Sequence, residues 1–169
     1  MTDVSINDKI VGFIKAHRPG HASEHYAKGD TCATLVQAAL KAAGARDLLD
    51  FPENKGNPDT TDYVWGDPVP LDQLRPGDIV QFKDHVMTEY KPDGSSEFHT
   101  RPHHSALVIE VLDAGKTIRV EEQHIKPNIH RIYWNTVYLQ DGTGLGPDGT
   151  PIRWEVTGQV TGYRAQPKR

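Results

Sequence analysis

Thr31-Cys32-Ala33-Thr34-Leu35-Val36-Gln37-Ala38-Ala39-Leu40-Lys41-Ala42-Ala43 is the stretch on which the fold of this chain turns. It is rich in alanine and has no internal glycine or proline, so helix propensity is favourable along its length. Leu35, Val36, Ala39, Leu40 and Ala43 recur at helical spacing and make an apolar stripe. Asp30 or Thr31 can cap the start, and Gly44 ends the helix. So many alanines predict close packing against a sheet or a second helix. Cys32 is then expected at the second or third position of this helix. Unpaired N–H groups and the positive end of the helix dipole stabilise a thiolate there. The opposing interpretation is a buried cysteine acting as a small hydrophobe.

Upstream, Ile6 to His17 reads as a short amphipathic helix with Ile10, Phe13 and Ile14 on one face, stopped by Pro19-Gly20. His21 to Asp30 reads as a polar loop. Downstream, Leu48 to Val69 reads as a long irregular connection, and Leu71 to Leu74 as a single turn. Arg75-Pro76-Gly77-Asp78 has proline before glycine, the type II turn arrangement. Ile79 to Phe82 then starts a strand. Asp84 to Pro102 is polar, with a hairpin tip at Pro92-Asp93-Gly94. Three further strands are expected at His104 to Leu112, Thr117 to Gln123 and Ile129 to Tyr138. Asp113 to Lys116 turns between the first two. Asp141 to Pro151 is glycine-rich and reads as a loop, and Trp154 to Tyr163 as a last strand. Helices followed by an antiparallel meander make an α+β arrangement, with the helices on one side of the sheet. A length of 169 residues without an internal repeat suits a single domain over 1–169.

Net charge is -4 and the pI about 6.1, which gives no electrostatic footprint for nucleic acid and no basic patch for an anionic membrane. A single cysteine excludes an intrachain disulfide. The N-terminal sequence has no basic region followed by a long apolar run, and no other stretch is long enough to span a bilayer. The chain is therefore expected to be made as a soluble cytoplasmic protein without a signal peptide, leaving the cell only by lysis or a dedicated secretion system.

A cysteine nucleophile needs an imidazole base, and the base needs a third group to orient it. His104 opens a core strand and is well placed to face a helix terminus. On the next strand Val120, Glu122 and His124 share one face by the period of two. Glu122 or His124 is then in reach of the far nitrogen of His104. Glu122 has a plainer alternative, a solvent-facing charge beside Glu121. His85, His99, His103 and His104, and separately His17, His21 and His25, invite a metal interpretation. None has the spacing of a strong zinc motif, and Pro19-Gly20 breaks the helix that would align the second group. Solvated loop histidines are the alternative, with His103 lining the cleft beside His104. Trp65, Trp134 and Trp154 read as core or rim residues. The glycines from Gly142 to Gly149 lack the strand and helix that flank a phosphate loop.

Four segments in order resemble the NlpC-type and CHAP (cysteine, histidine-dependent amidohydrolase/peptidase) families of papain-like hydrolases. Gly29-Asp30-Thr31-Cys32-Ala33-Thr34-Leu35-Val36 resembles their nucleophile helix. Leu74-Arg75-Pro76-Gly77-Asp78-Ile79-Val80-Gln81-Phe82 is similar to their Pro-Gly-Asp segment. His104-Ser105-Ala106-Leu107-Val108 resembles their histidine strand, and Glu122-Gln123-His124 the "E-x-N" that follows in CHAP domains. The resemblance covers about Tyr26 to His124. It implies a papain-like fold with Cys32 as nucleophile, His104 as base and Glu122 as orienter. It further implies an oxyanion held by the Cys32 N–H, with Tyr26 nearby. His103 and His124 join Tyr26 as candidate oxyanion or substrate contacts. The implied substrate is a peptide or peptidoglycan-like amide and no cofactor is implied; a protein inhibitor or delivery partner is left unspecified. The sequence departs from the family pattern in Ala33-Thr34 after the cysteine, in His124 where asparagine is usual, and in Tyr63-Val64-Trp65-Gly66, which follows the cysteine instead of preceding it. Acyl transfer by the same thioester, a non-catalytic binding domain and a histidine-based metal hydrolase are the alternatives.

Overall fold

Helix α1 (Ile6–Ala16) starts where Ser5 accepts a hydrogen bond from the Asp8 N–H at 3.1 Å. Helix α2 (Cys32–Ala42) starts at Thr31, which exchanges side-chain and backbone bonds with Thr34 in a reciprocal capping box. Cys32 is the first residue of this helix, one or two places earlier than its sequence suggests. At the other end Gly44 takes φ +69. The Ala45 N–H then donates to Leu40 O and the Gly44 N–H to Lys41 O, a Schellman closure. These elements come from a computed structural model, which describes residues 4–20, 31–55, 62–123, 131–146 and 148–168.

Seven strands follow: β1 (Asp67–Val69), β2 (Ile79–Tyr90), β3 (Ser96–Leu112), β4 (Thr117–Gln123), β5 (Ile132–Tyr138), β6 (Gly142–Leu145) and β7 (Pro151–Arg164). All pair antiparallel in the order β1-β7-β2-β3-β4-β5, with β6 on β7. Helices and an antiparallel sheet make this an α+β chain. The expected meander holds for β2 to β5, while β7 returns to the outer side of β2. Ile10, Ile14, Leu35, Val36, Leu40, Trp65, Ile79 and Leu107 fill the core between helices and sheet. Val80, Phe82, Ala106, Val108, Ile118, Val120 and Val137 form a second core on the other face. No helix among the described residues is long and apolar enough to cross a membrane.

Three connections differ from expectation. Asp84 to Pro102 is mostly strand: β2 and β3 pair as far as Tyr90 and Ser96, around a tip where Gly94 takes φ +86. Its polar character reflects the mostly exposed Ser96 to Thr100 stretch of β3, while Met87 on β2 still reaches the second core. Asp141 to Pro151 contains β6 because its glycines serve packing. A Cβ on Gly142 would sit 2.8 Å from the Trp154 ring, and one on Gly144 3.0 Å. Leu48 to Val69 holds two short 3-10 turns, Leu48–Asp50 and Pro52–Asn54, as well as β1. The Arg75–Asp78 turn forms as expected, with Gly77 at φ +89 and the Asp78 N–H on Arg75 O at 3.0 Å.

One irregularity positions the site. The β2–β7 register shifts between Lys83 and Val86, where Asp84 takes φ 49. Gly158 lies against this bulge, and a Cβ there would be 2.1 Å from Asp84 O. On β3, Pro102 faces Asp84 between the pairs Lys83↔His103 and His85↔Arg101. Proline has no N–H to give the ladder. Strict alternation is broken on both strands. Phe82 and His85, three residues apart, touch at 5.1 Å between ring centroids. Arg101 and His104, also three apart, reach one and the same carboxylate.

Candidate active site

The ladder between β3 and β4 ends at Leu107↔Glu121. Beyond that pair the N-terminus of α2 bridges the two strands. Its first residue, Cys32, is partly exposed, and the sulfur accepts the N–H groups of Ser105 and Ala33. Gln123, the last residue of β4, donates from Nε2 to Thr31 O at 3.1 Å and so ties the helix cap to the sheet.

His104 is almost fully buried and hydrogen-bonds the Cys32 thiol. Its Nε2 lies 2.8 Å from Glu122 Oε1, which leaves Nδ1 as the nitrogen for the sulfur. Phe82 stacks beside the imidazole at 6.1 Å. Glu122 has no exposed surface. Its Oε1 also accepts from Arg101 Nε at 2.9 Å, and its Oε2 accepts from Arg101 Nη2 and Asn135 Nδ2, both at 2.8 Å.

These contacts override burial in each group. Burial pushes the Cys32 thiol up, but His104 and the two N–H donors hold it below its ordinary value. Burial pushes His104 down, but Cys32 and Glu122 raise it to about 9. Burial pushes Glu122 up, but His104 and Arg101 hold it well below the usual carboxylate range. A thiol held low, an imidazole held high, an ionised carboxylate and a guanidinium therefore follow one another along one line.

The structure thus brings together Cys32, His104 and Glu122, and Glu122 is an interior group where the plainer expectation was a solvent-facing charge. His103 points away from this line, as the residue next to His104 on a strand must. Its Nδ1 lies 3.2 Å from Asp62 Oδ1. Tyr26 and His124 fall outside the described residues, as do His21 and His25. His85 is buried, with Nε2 on Tyr138 O at 3.1 Å, and burial lowers it to about 4. Among the described residues no three His, Cys, Asp or Glu side chains are grouped to hold a metal ion. Trp65 is fully buried, donating from Nε1 to Gln81 Oε1 and Ser105 Oγ at 3.1 Å each, directly behind the histidine strand.

No protein-family model matches the chain, and no curated protein or solved structure matches it. The site itself is therefore what supports a function.

Sequence reasoning missed Arg101, Asn135, Ser105 and Gln123. For Arg101, regular alternation from His104 assigns it to the opposite face. Asn135 becomes visible only through the β4–β5 register, in which Glu122 faces Tyr133 and Asn135 faces Val120.

Proposed function

We propose that this chain is a thiol-dependent amide hydrolase with a papain-like fold, an endopeptidase or amidase of the NlpC and CHAP type. The observation that carries it is Cys32 at the start of α2, hydrogen-bonded to a His104 whose other nitrogen rests on an ionised Glu122. The Cys32 thiolate attacks the amide carbonyl, forming a C–S bond and pushing an electron pair onto oxygen. The Cys32 N–H, among those a helix leaves unpaired, faces the developing oxyanion. The C–N bond then breaks as the His104 imidazolium gives its proton to the amine. Neutral His104 next takes a proton from water, whose oxygen attacks the thioester and releases the acid and the thiolate. Glu122 orients the ring and balances its charge throughout. The sequence resemblance points to the peptide stems or crosslinks of peptidoglycan as substrate.

Alkylation of Cys32 by iodoacetamide across pH, in the native chain and in His104→Ala, tests this. The expected result is a native thiol titrating well below the ordinary value of about 8.5, and a substitution that abolishes the shift. Equal curves for the two proteins would refute the mechanism. Hydrolysis of peptidoglycan fragments should rise with pH through the lowered thiol value. It should fall as His104 loses its proton near about 9.

A further inference from the structure

We infer that Arg101 is a positioning residue for this site: its two-pronged grip fixes Glu122 as an anion against His104 and so holds His104 and Cys32 as a charged pair. The inference rests on the thiol-hydrolase reading and adds to it a group that the Cys–His–acid pattern does not contain.

Four hydrogen bonds carry the argument. A carboxylate has about four lone-pair positions. On Glu122 they are taken by Arg101 Nε and Nη2, His104 Nε2 and Asn135 Nδ2, at 2.8 to 2.9 Å. A proton arriving on Glu122 would have to break one of them. Two of the four come from one planar guanidinium, a fork that fixes the carboxylate in angle as well as in place. Arg101 and Glu122 are both buried, so water screens their attraction little. Phe82 lies under the guanidinium at 5.7 Å and limits its movement.

Charge balance gives the consequence. The line Cys32, His104, Glu122, Arg101 is neutral overall as an alternating set of ions. Without the guanidinium it would carry an excess negative charge in a buried site. That excess is relieved when Glu122 takes a proton, which costs His104 its anionic partner, or when the thiolate takes one. Either route weakens the thiolate–imidazolium pair. The other groups facing Arg101 do not replace it. His85, its cross-strand neighbour, is kept uncharged by burial, and Asn135 is neutral.

A purely structural role for Arg101 would also fill this space, so the test reads the thiol. Iodoacetamide alkylation of Cys32 is followed across pH in the native chain, Arg101→Met, Arg101→Lys, Glu122→Gln and the double variant Arg101→Met/Glu122→Gln. Thermal melting by circular dichroism establishes that each is folded. At about pH 6.5, Arg101→Met is expected to react at least about tenfold more slowly than the native chain. Arg101→Lys keeps the charge but loses the fork, and should fall between them. In the Glu122→Gln background, adding Arg101→Met should change the rate by less than about twofold, because the route through the carboxylate is already gone. A folded Arg101→Met that titrates like the native chain overturns the proposal. So does an equal rate loss in both backgrounds. If Arg101→Met does not fold, Arg101→Lys decides, and a native-like curve for it overturns the proposal. An ordinary thiol curve in the native chain would instead overturn the Cys32–His104 reading on which this one rests.

Discussion

Glu121 and Glu122 are neighbours on β4, both with no exposed surface, yet the first is pushed towards its neutral form and the second held as an anion. Glu121 faces the helix-side core between its cross-strand partners Leu107 and Trp134. It accepts one hydrogen bond, from Trp134 Nε1 at 2.8 Å, and its Oε1 has no partner among the described residues. Burial raises it to about 8, so it is largely protonated at neutral pH. Glu122 faces the other way, into four donors that include a guanidinium. Equal burial therefore does not decide ionisation. The number and charge of the donors do, and a one-residue step along a strand changes them completely.

Breaking the Glu122 side should have the largest effect. Glu122→Gln leaves Arg101 as a buried cation without its anion, a situation that costs roughly 3–5 kcal/mol. Amide turnover should fall by about 10²–10⁴-fold as the imidazolium loses its partner. Urea denaturation and a peptide-hydrolysis assay measure the two effects separately. A Glu122→Gln chain as stable as the native one would contradict the grip described for Arg101.

A substitution away from both acids sharpens the comparison by disturbing the geometry that aims Arg101. Gly158→Ala puts a Cβ against Asp84 O and forces alanine to φ +91. A loss of about 2 kcal/mol or more is expected, together with a rise in the thiol titration point. Gly149, at φ +78 with open space around it, is the control. Gly149→Ala should cost only about 1 kcal/mol and leave the thiol unchanged. Equal effects at the two glycines would show that the bulge does not position the site.

The smallest effect on the thiol is expected on the Glu121 side, where stability carries a pH signature. The folded value of Glu121, about 8, lies above its unfolded one. Its contribution is therefore intact below the unfolded value of about 4.3 and is lost as pH rises through about 8. Glu121→Gln removes that loss. It should match the native chain at about pH 4 and exceed it by a growing margin as pH rises towards about 8.5. Melting curves at the two pH values check this, and the thiol titration should not move. A stability gain of the same size at both pH values would mean that Glu121 is not titrating.

Much of the Cys32 side of the site was legible in the sequence. The alanine-rich run, the Thr31 cap and Gly44 define α2, and each acts through its immediate neighbours. The period of two on β4 correctly grouped Val120 with Glu122. The acid pair was harder, because adjacent carboxylates on a polar stretch look solvated until β5 and α2 cover them. Arg101 was hidden for a different reason. Its face depends on Asp84 adopting a left-handed conformation, which rests on a glycine some seventy positions along the chain. The glycines of β6 were hidden in the same way, since their purpose is the Trp154 ring. Residues whose role is set by a distant partner leave no local signature.

The break at Asp84 and Pro102 also works as a joint between two parts of one hairpin. On the inner side the strands carry His104 and the core. On the outer side they form an arm whose phase is offset by one residue. Trimming the arm at its tip, equally on both strands, leaves the joint untouched. Making both strands alternate regularly through Asp84 and Pro102, with no change in length, would keep the pairing but turn Arg101 to the opposite face. The arm is thus free to vary in length, or to be exchanged for another, while its phase is fixed by the chemistry at its base.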